Sequence, residues 1–413
     1  MDINRVVCFF KSIFKDVKLF LKLIIGRKLK KILKRYFNNQ LAHSEKRILT
    51  KSDNVGESLF EFKEITFEKV CFSKVFNLAE ASNVQFFYPK IELKRFYNAT
   101  IYAASDFIIT DKYAVWDKYY FTQFTKLIPH DEDIVKLENG TIYISKPNEI
   151  FQIENGFSFC GVHSNIWSHF LVQFLPKLYL LKQTVELVNS KLTIVLPVYN
   201  DLQIKEIVQN ILAQFNNIEI FELQSNQSVN CKSLFAINNT AYICDHSTYV
   251  NPSDIIIPNL CLNILKVNFV SDIFEKYNIA NSKHNRKIFI GRSSYRDLIN
   301  GPEVEEYFVN LGFEVILPHL LTLKEKIETF NQASVIIGPF SSGFTNILFC
   351  KPHTKILTFA NFHRTFDSYL STFSEFFELE LLMLTGIDNG LSITDDSYID
   401  LENVKIAYSQ LIK

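Results

Sequence analysis

The sequence predicts an α/β protein built from two Rossmann-like halves that meet near residue 282. Two runs of alternating short apolar strands and amphipathic helices, one from about 165 to 223 and a cleaner one from 286 to 359, are the signature of βαβ units on parallel sheets. A polar hinge, NSKHNR at 281–286, separates them. With 413 residues, 47% hydrophobic and 21% charged, the chain has the balance of a folded protein long enough for two domains.

Taken in order, residues 1–37 carry eleven basic and two acidic residues, which makes the segment +9 in a chain of zero net charge. Lys11, Lys15, Lys18 and Lys22 recur at helical spacing opposite Phe10, Ile13, Phe14, Val17, Phe20, Leu21 and Ile24. The lysines interrupt the apolar run well short of the roughly 20 residues that cross a bilayer. A basic amphipathic helix lying on an anionic membrane surface is the expectation, followed by a second basic block from Arg27 to Arg35. A helix docked on its own domain is the alternative. Residues 38–62 are polar and aperiodic and read as a linker.

From about 63 to 155 the short segments ITFEKVCF, VQFFYP, ATIYAA, DFIITD, KYAVWD and TIYIS predict a small β-rich subdomain. A helix over about 165–189, a strand over 191–198, a helix near 201–215 and the strand IEIFEL complete the first alternation; a long helix follows at about 258–277. In the second run, strands at 286–291, 313–317, 334–338 and 355–359 alternate with helices near 302–311, 322–332 and 343–350. The boundaries are therefore an arm at 1–37, a linker at 38–62, an N-terminal domain at 63–281 and a C-terminal domain at 282–413. The last helix is a candidate to cross back onto the N-terminal domain.

Balanced charge argues against a nucleic-acid partner. Seven scattered cysteines without a C-x-x-C pair imply neither a disulfide framework nor a zinc site, and a reducing compartment is the simpler reading.

Three stretches carry chemistry. In SVIIGPFSSGFTNILF, 334–349, a buried strand runs into a turn with Ser341, Ser342 and Gly343 and then a helix that includes Asn346. A strand end and a helix N-terminus of small residues suit a phosphate or another anion; an ordinary turn and cap is the plain alternative. No G-x-G-x-x-G or Walker lysine is present, which excludes a dehydrogenase or a P-loop kinase. In FIGRSSYRDLIN, Arg292 follows its strand directly and is placed to reach the same crevice; Arg296 and Asn300 open the next element, as ligand contacts or structural links. In GVHSNIWSHFLVQFLPKLYLL, 161–181, Asn165 and His169 share a helix face. A satisfied core histidine is the plain reading; a His/Asn face opposite an anion loop is the functional one.

Together these motifs resemble glycosyltransferase family 61, which includes bacterial capsular polysaccharide biosynthesis proteins. The likeness covers about 160–360, with GFEVILPHLLTLKEKIETFNQASVIIGPF as its specific part. It implies a GT-B architecture and inverting sugar transfer from a nucleotide sugar to a glycan or lipid-linked acceptor, with no cofactor and no essential metal. Arg292, Arg296, Ser341, Ser342, Gly343 and Asn346 then fall on the donor side, and Asn165 and His169 on the acceptor side. The chain departs from the family pattern at Gln173, Phe340 and Thr358, where an acid, a histidine and a glutamate are usual. Gln173 removes the usual base, so His169 is the first candidate, ahead of His163 and the Asp245/His246 pair. A scaffold that has lost catalysis is the competing expectation. The arm implies a cytoplasmic protein at the inner face of the cell membrane.

Overall fold

The computed structural model describes residues 44–51, 55–63, 66–72, 74–116, 134–138, 141–187, 191–243, 254–279, 283–292, 298–365, 367–388 and 396–413. The arm at 1–37 lies outside the described residues, as do Arg296 and the Asp245/His246 pair. Two large sheets dominate, with helices between and around them.

In the N-terminal half, strands Glu149–Ser158, Leu192–Pro197, Ile218–Leu223 and Gln227–Ile237 run parallel. Spatially the order is third, second, first, fourth, so the chain reverses direction across the sheet beside Glu149–Ser158. The sheet does not stop there. Gln227–Ile237 pairs antiparallel with the twelve-residue strand Ile91–Tyr102, and further strands extend it to eleven among the described residues. Of the strand-rich segment expected as a subdomain, Ile91–Tyr102, Ile108–Ile109, Tyr113–Trp116 and Thr141–Ser145 join this sheet, while Thr66–Phe72 and Ser82–Tyr88 pair in a two-stranded antiparallel sheet of their own.

Two strands, Ser44–Lys51 and Glu57–Lys63, occupy part of the stretch read as a linker. Glu57–Lys63 pairs with Ile91–Tyr102; four of its seven residues are exposed, while Leu59 and Phe62 pack against the core. Gln227–Ile237, central to the sheet, has no counterpart in the expected elements.

The C-terminal sheet comprises parallel strands Arg286–Ile290, Glu314–Ile316, Ala333–Pro339, Lys355–Asn361 and Glu380–Asp388 in the order second, first, third, fourth, fifth. This is a doubly wound order with its switch point between Arg286–Ile290 and Ala333–Pro339. Helices Gly301–Asn310 and Leu323–Gln332 fall near the expected positions, and Thr322 and Glu325 close a capping box on the second. The element expected as a helix at 343–350 is a 3-10 helix, Ser342–Phe349.

The halves share a core. Phe170, Leu171 and Leu175, on the helix that starts at Trp167 and passes through a π-helical turn at Phe170–Phe174, belong to one buried cluster with Phe344, Ile347 and Phe373. The last helix, Leu401–Leu411, does not cross back: Val404, Ala407 and Tyr408 pack with Phe308, Phe313 and Phe359 on the C-terminal sheet. The crossing goes the other way, since Lys74–Val75 adds a parallel strand beside Glu380–Asp388. Among the described residues no helix is long and apolar enough to cross a membrane.

At the switch point the two strands approach as only glycine allows: a Cβ on Gly338 falls 2.6 Å from the Ile290 carbonyl oxygen. Gly338→Ala therefore lowers stability by about 1–3 kcal/mol as the strands are forced apart. Chemical denaturation reads this as an earlier midpoint, and an unchanged midpoint contradicts the close approach.

Candidate functional site

A cleft of about 590 Å³ opens between the halves at the carboxyl ends of the C-terminal strands. One wall is Gly291, Arg292, Ser341, Ser342, Gly343 and Asn346; Pro318 to Leu323 and Lys326 continue it, and Trp167 with Asn200 to Gln203 and Glu206 faces it from the N-terminal half. The topological switch point predicts such a crevice. Arg292, half-buried, donates from Nη1 to the Phe340 carbonyl at 2.6 Å and so braces the loop from beneath. Ser341 has an extended backbone, and its hydroxyl caps nothing in the helix that follows. The first N–H groups of that helix lie beside the cleft, where a positive potential favours an anion.

Asn346 is fully buried and turns its amide to two uses. Its Oδ1 accepts from Trp167 Nε1 at 3.0 Å, and its Nδ2 donates to the Gly343 carbonyl at 2.8 Å. It therefore ties the loop to the opposite half.

Lys326 is the residue that sequence reading missed. Its side chain is 4% exposed, and its Nζ sits 3.9 Å above the Trp167 ring and donates to Gln203 Oε1. Gln203 in turn donates to the Leu321 carbonyl. Burial pushes the lysine pKa down to about 8, with Asp201 partly offsetting it. In LTLKEKIETF it looks like one of two solvated lysines, yet it lies three residues after Leu323 and four before Phe330, both buried. That spacing is the signal available in the sequence.

A second cavity, about 430 Å³, lies at the carboxyl ends of the N-terminal strands, lined by Ala103, Ala104, Gly161 to Ile166, Pro197, Val198, Leu223 and Ser225. Its wall at Ile166, Pro197 and Val198 adjoins Trp167 and Asn200 of the first cleft. His163 lines it with a left-handed backbone, φ 65°, and its ring centroid is 4.8 Å from that of His169. His169 itself is buried and meets Gln173 Oε1 through Nδ1 at 2.6 Å. Asn165 is exposed and directs Nδ2 to the Val198 carbonyl at 3.4 Å.

The structure thus gathers Arg292, Ser341, Ser342, Gly343 and Asn346 at one cleft and Asn165 with His163 at the neighbouring cavity, with His169 behind His163. Asn300 is a structural link: its side chain pairs with both backbone groups of Ile399. Phe340 packs beside Arg364, its ring centroid 4.8 Å from the guanidinium carbon. Thr358 is fully buried, and its hydroxyl has no hydrogen-bond partner. Among the described residues no three His, Cys, Asp or Glu side chains gather as a metal site.

Residues 167–357 match the family model described as Glycosyltransferase 61. The matched segment contains His169, Gln173, Arg292, Lys326 and the 340–346 loop, and it supports a glycosyltransferase role in general terms. No curated protein matches the chain.

Gln173 fixes the imidazole that stacks on His163. Its Nε2 donates to the Ala241 carbonyl at 3.2 Å while Oε1 meets His169. Gln173→Glu keeps the acceptor, loses the donor and sets a carboxylate against a carbonyl. The Ala241 carbonyl loses its donor, at a cost of about 1–3 kcal/mol. A denaturation midpoint equal to the parent's contradicts this placement.

Proposed function

We propose that the protein is an inverting glycosyltransferase of GT-B type that moves a sugar from a nucleotide-sugar donor to a growing surface polysaccharide or lipid-linked glycan. The observation that carries this reading is the cleft at the switch point, where Arg292 and the Ser341–Gly343 backbone face the opposite half. A diphosphate leaving group gains negative charge as the glycosidic bond breaks, and prepositioned donors at that oxygen lower the barrier. The guanidinium can leave the Phe340 carbonyl for a bidentate contact with phosphate.

The adjoining cavity suits an acceptor hydroxyl. His163 lines it, and its imidazole is the group we place within reach of the acceptor proton, with His169 and Gln173 positioning it. An imidazole can accept a hydroxyl proton through a ring nitrogen, which suits a general base. The arm at 1–37 brings the enzyme to an anionic membrane surface, where a lipid-linked acceptor is found. The family resemblance implies no essential metal, so chelation leaves turnover unchanged.

Gln173, Phe340 and Thr358 favour a second reading, a binding protein of the same assembly system without turnover. A panel of nucleotide sugars separates the two when binding and transfer are both measured. Arg292→Ala weakens nucleoside-diphosphate affinity by about ten- to a hundredfold, since a charge-assisted bond contributes roughly 1.5–3 kcal/mol. His163→Ala lowers turnover by about 10² to 10⁴ with donor affinity kept. A His163→Ala enzyme of parental turnover removes the imidazole from the mechanism.

For the arm, each basic residue near an anionic surface contributes about 1 kcal/mol, less as salt rises. The full chain sediments with anionic liposomes and leaves neutral ones, and deletion of residues 1–37 abolishes the binding. Sedimentation of the truncated protein contradicts the membrane role of the arm.

A further inference from the structure

A buried cation with no carboxylate partner is an unfinished interaction, and Lys326 is one. Among the described residues no ion pair involves it. Its ammonium instead rests on the Trp167 indole and on the neutral oxygen of Gln203. Asp201, the nearest source of negative field, spends its Oδ1 on the N–H groups of Gln203 and Ile204 at the start of the helix they open. Glu206, on the same helix, is held by Lys276 and Tyr277. Arg292 and His319 are the other titratable groups on the cleft wall, and Glu325, the neighbour on the lysine's own helix, is bonded to Thr322.

A lysine taken out of water in this way costs stability unless something anionic completes it. Leu323 and Ile327, on the same helix, are buried as Lys326 is, and methionine matches the length of the lysine stem without the charge. Keeping an ammonium here is explicable by a ligand and not by packing.

We propose that Lys326 is a phosphate ligand of the cleft: resting on Trp167 and Gln203, it turns to the diphosphate of a nucleotide donor when one enters. The inference rests on the nucleotide-sugar reading of the cleft and adds a second cation to Arg292. It also couples binding to a proton. Burial pushes the lysine pKa down to about 8, and a neighbouring diphosphate favours its charged form. Below about pH 8 the ammonium is already present and affinity is flat. Above it, binding must take up a proton, so affinity falls as pH rises. The terminal phosphate of a nucleoside diphosphate, with its second ionisation near pH 6, is mostly ionised from pH 7 upward and does not itself lower affinity as pH rises.

The test uses the full chain and calorimetry with UDP and GDP as probes, from pH 7 to 9.5. The parent binds at least one probe, and its affinity falls about tenfold or more across that range. Lys326→Met lowers affinity at pH 7 by about ten- to a hundredfold and leaves the unfolding midpoint equal or higher, because a buried charge has gone. Lys326→Arg binds with no fall between pH 7 and 9.5, since guanidinium does not titrate there. Parental affinity in Lys326→Met, or a pH-independent parent, overturns the role of Lys326 while the nucleotide reading stands. If Lys326→Met fails to fold, a pH-dependent Lys326→Arg overturns it. A parent that binds none of the probes overturns both.

Discussion

The cleft depends on one hydrogen bond across it, from the Trp167 indole N–H to Asn346 Oδ1. Asn346 is fully buried, so a lost partner would leave a polar atom without water, at a cost of about 1–3 kcal/mol. Its other amide group holds the Gly343 carbonyl and thereby sets the bend of the loop. The same indole presents its face to Lys326. One aromatic side chain from the N-terminal half thus fixes the loop conformation, the position of the buried lysine and the spacing of the two walls.

Topology explains why chemistry gathers there. In the order second, first, third, fourth, fifth, the connections leave the C-terminal sheet on opposite faces at Ile290 and Pro339, and the strand ends between them stay uncovered. Arg292 follows the first of those strands and the 340–343 loop the second. The N-terminal sheet has its own reversal beside Glu149–Ser158, and His163 sits in the turn that leaves it. The shared core and the Lys74–Val75 strand hold the halves together, so the two sets of strand ends line neighbouring cavities.

Four of the five parallel strands of the C-terminal half were readable, because each is a short apolar run between helices with a clear stripe; the fifth, Glu380–Asp388, was not expected. Ser342–Phe349 departs only in its winding: hydrophobic spacing does not separate a short α-helix from a 3-10 helix. Reading failed where partners supply the order. Glu57–Lys63 has no clean alternation, its Leu59 and Phe62 being only partly buried, and QSVNCKSLFAI mixes polar and apolar residues although Val229, Cys231, Leu234 and Phe235 are all buried. The site was legible in its loop and in Arg292, whose place after a strand decides where they point. Lys326 was not, because a lysine on an amphipathic helix reads as solvated until the opposing indole is known.

The central claim is sugar transfer at this cleft, and the anomeric outcome tests it most directly. Proton NMR of the full chain with nucleotide sugars and a glycan acceptor follows the anomeric signals as donor is consumed. Transfer or slow hydrolysis whose first-formed product has the opposite anomeric configuration to the donor is the result this account predicts. A protein that binds a donor and leaves it unchanged with every acceptor, or that yields the retained anomer, contradicts it.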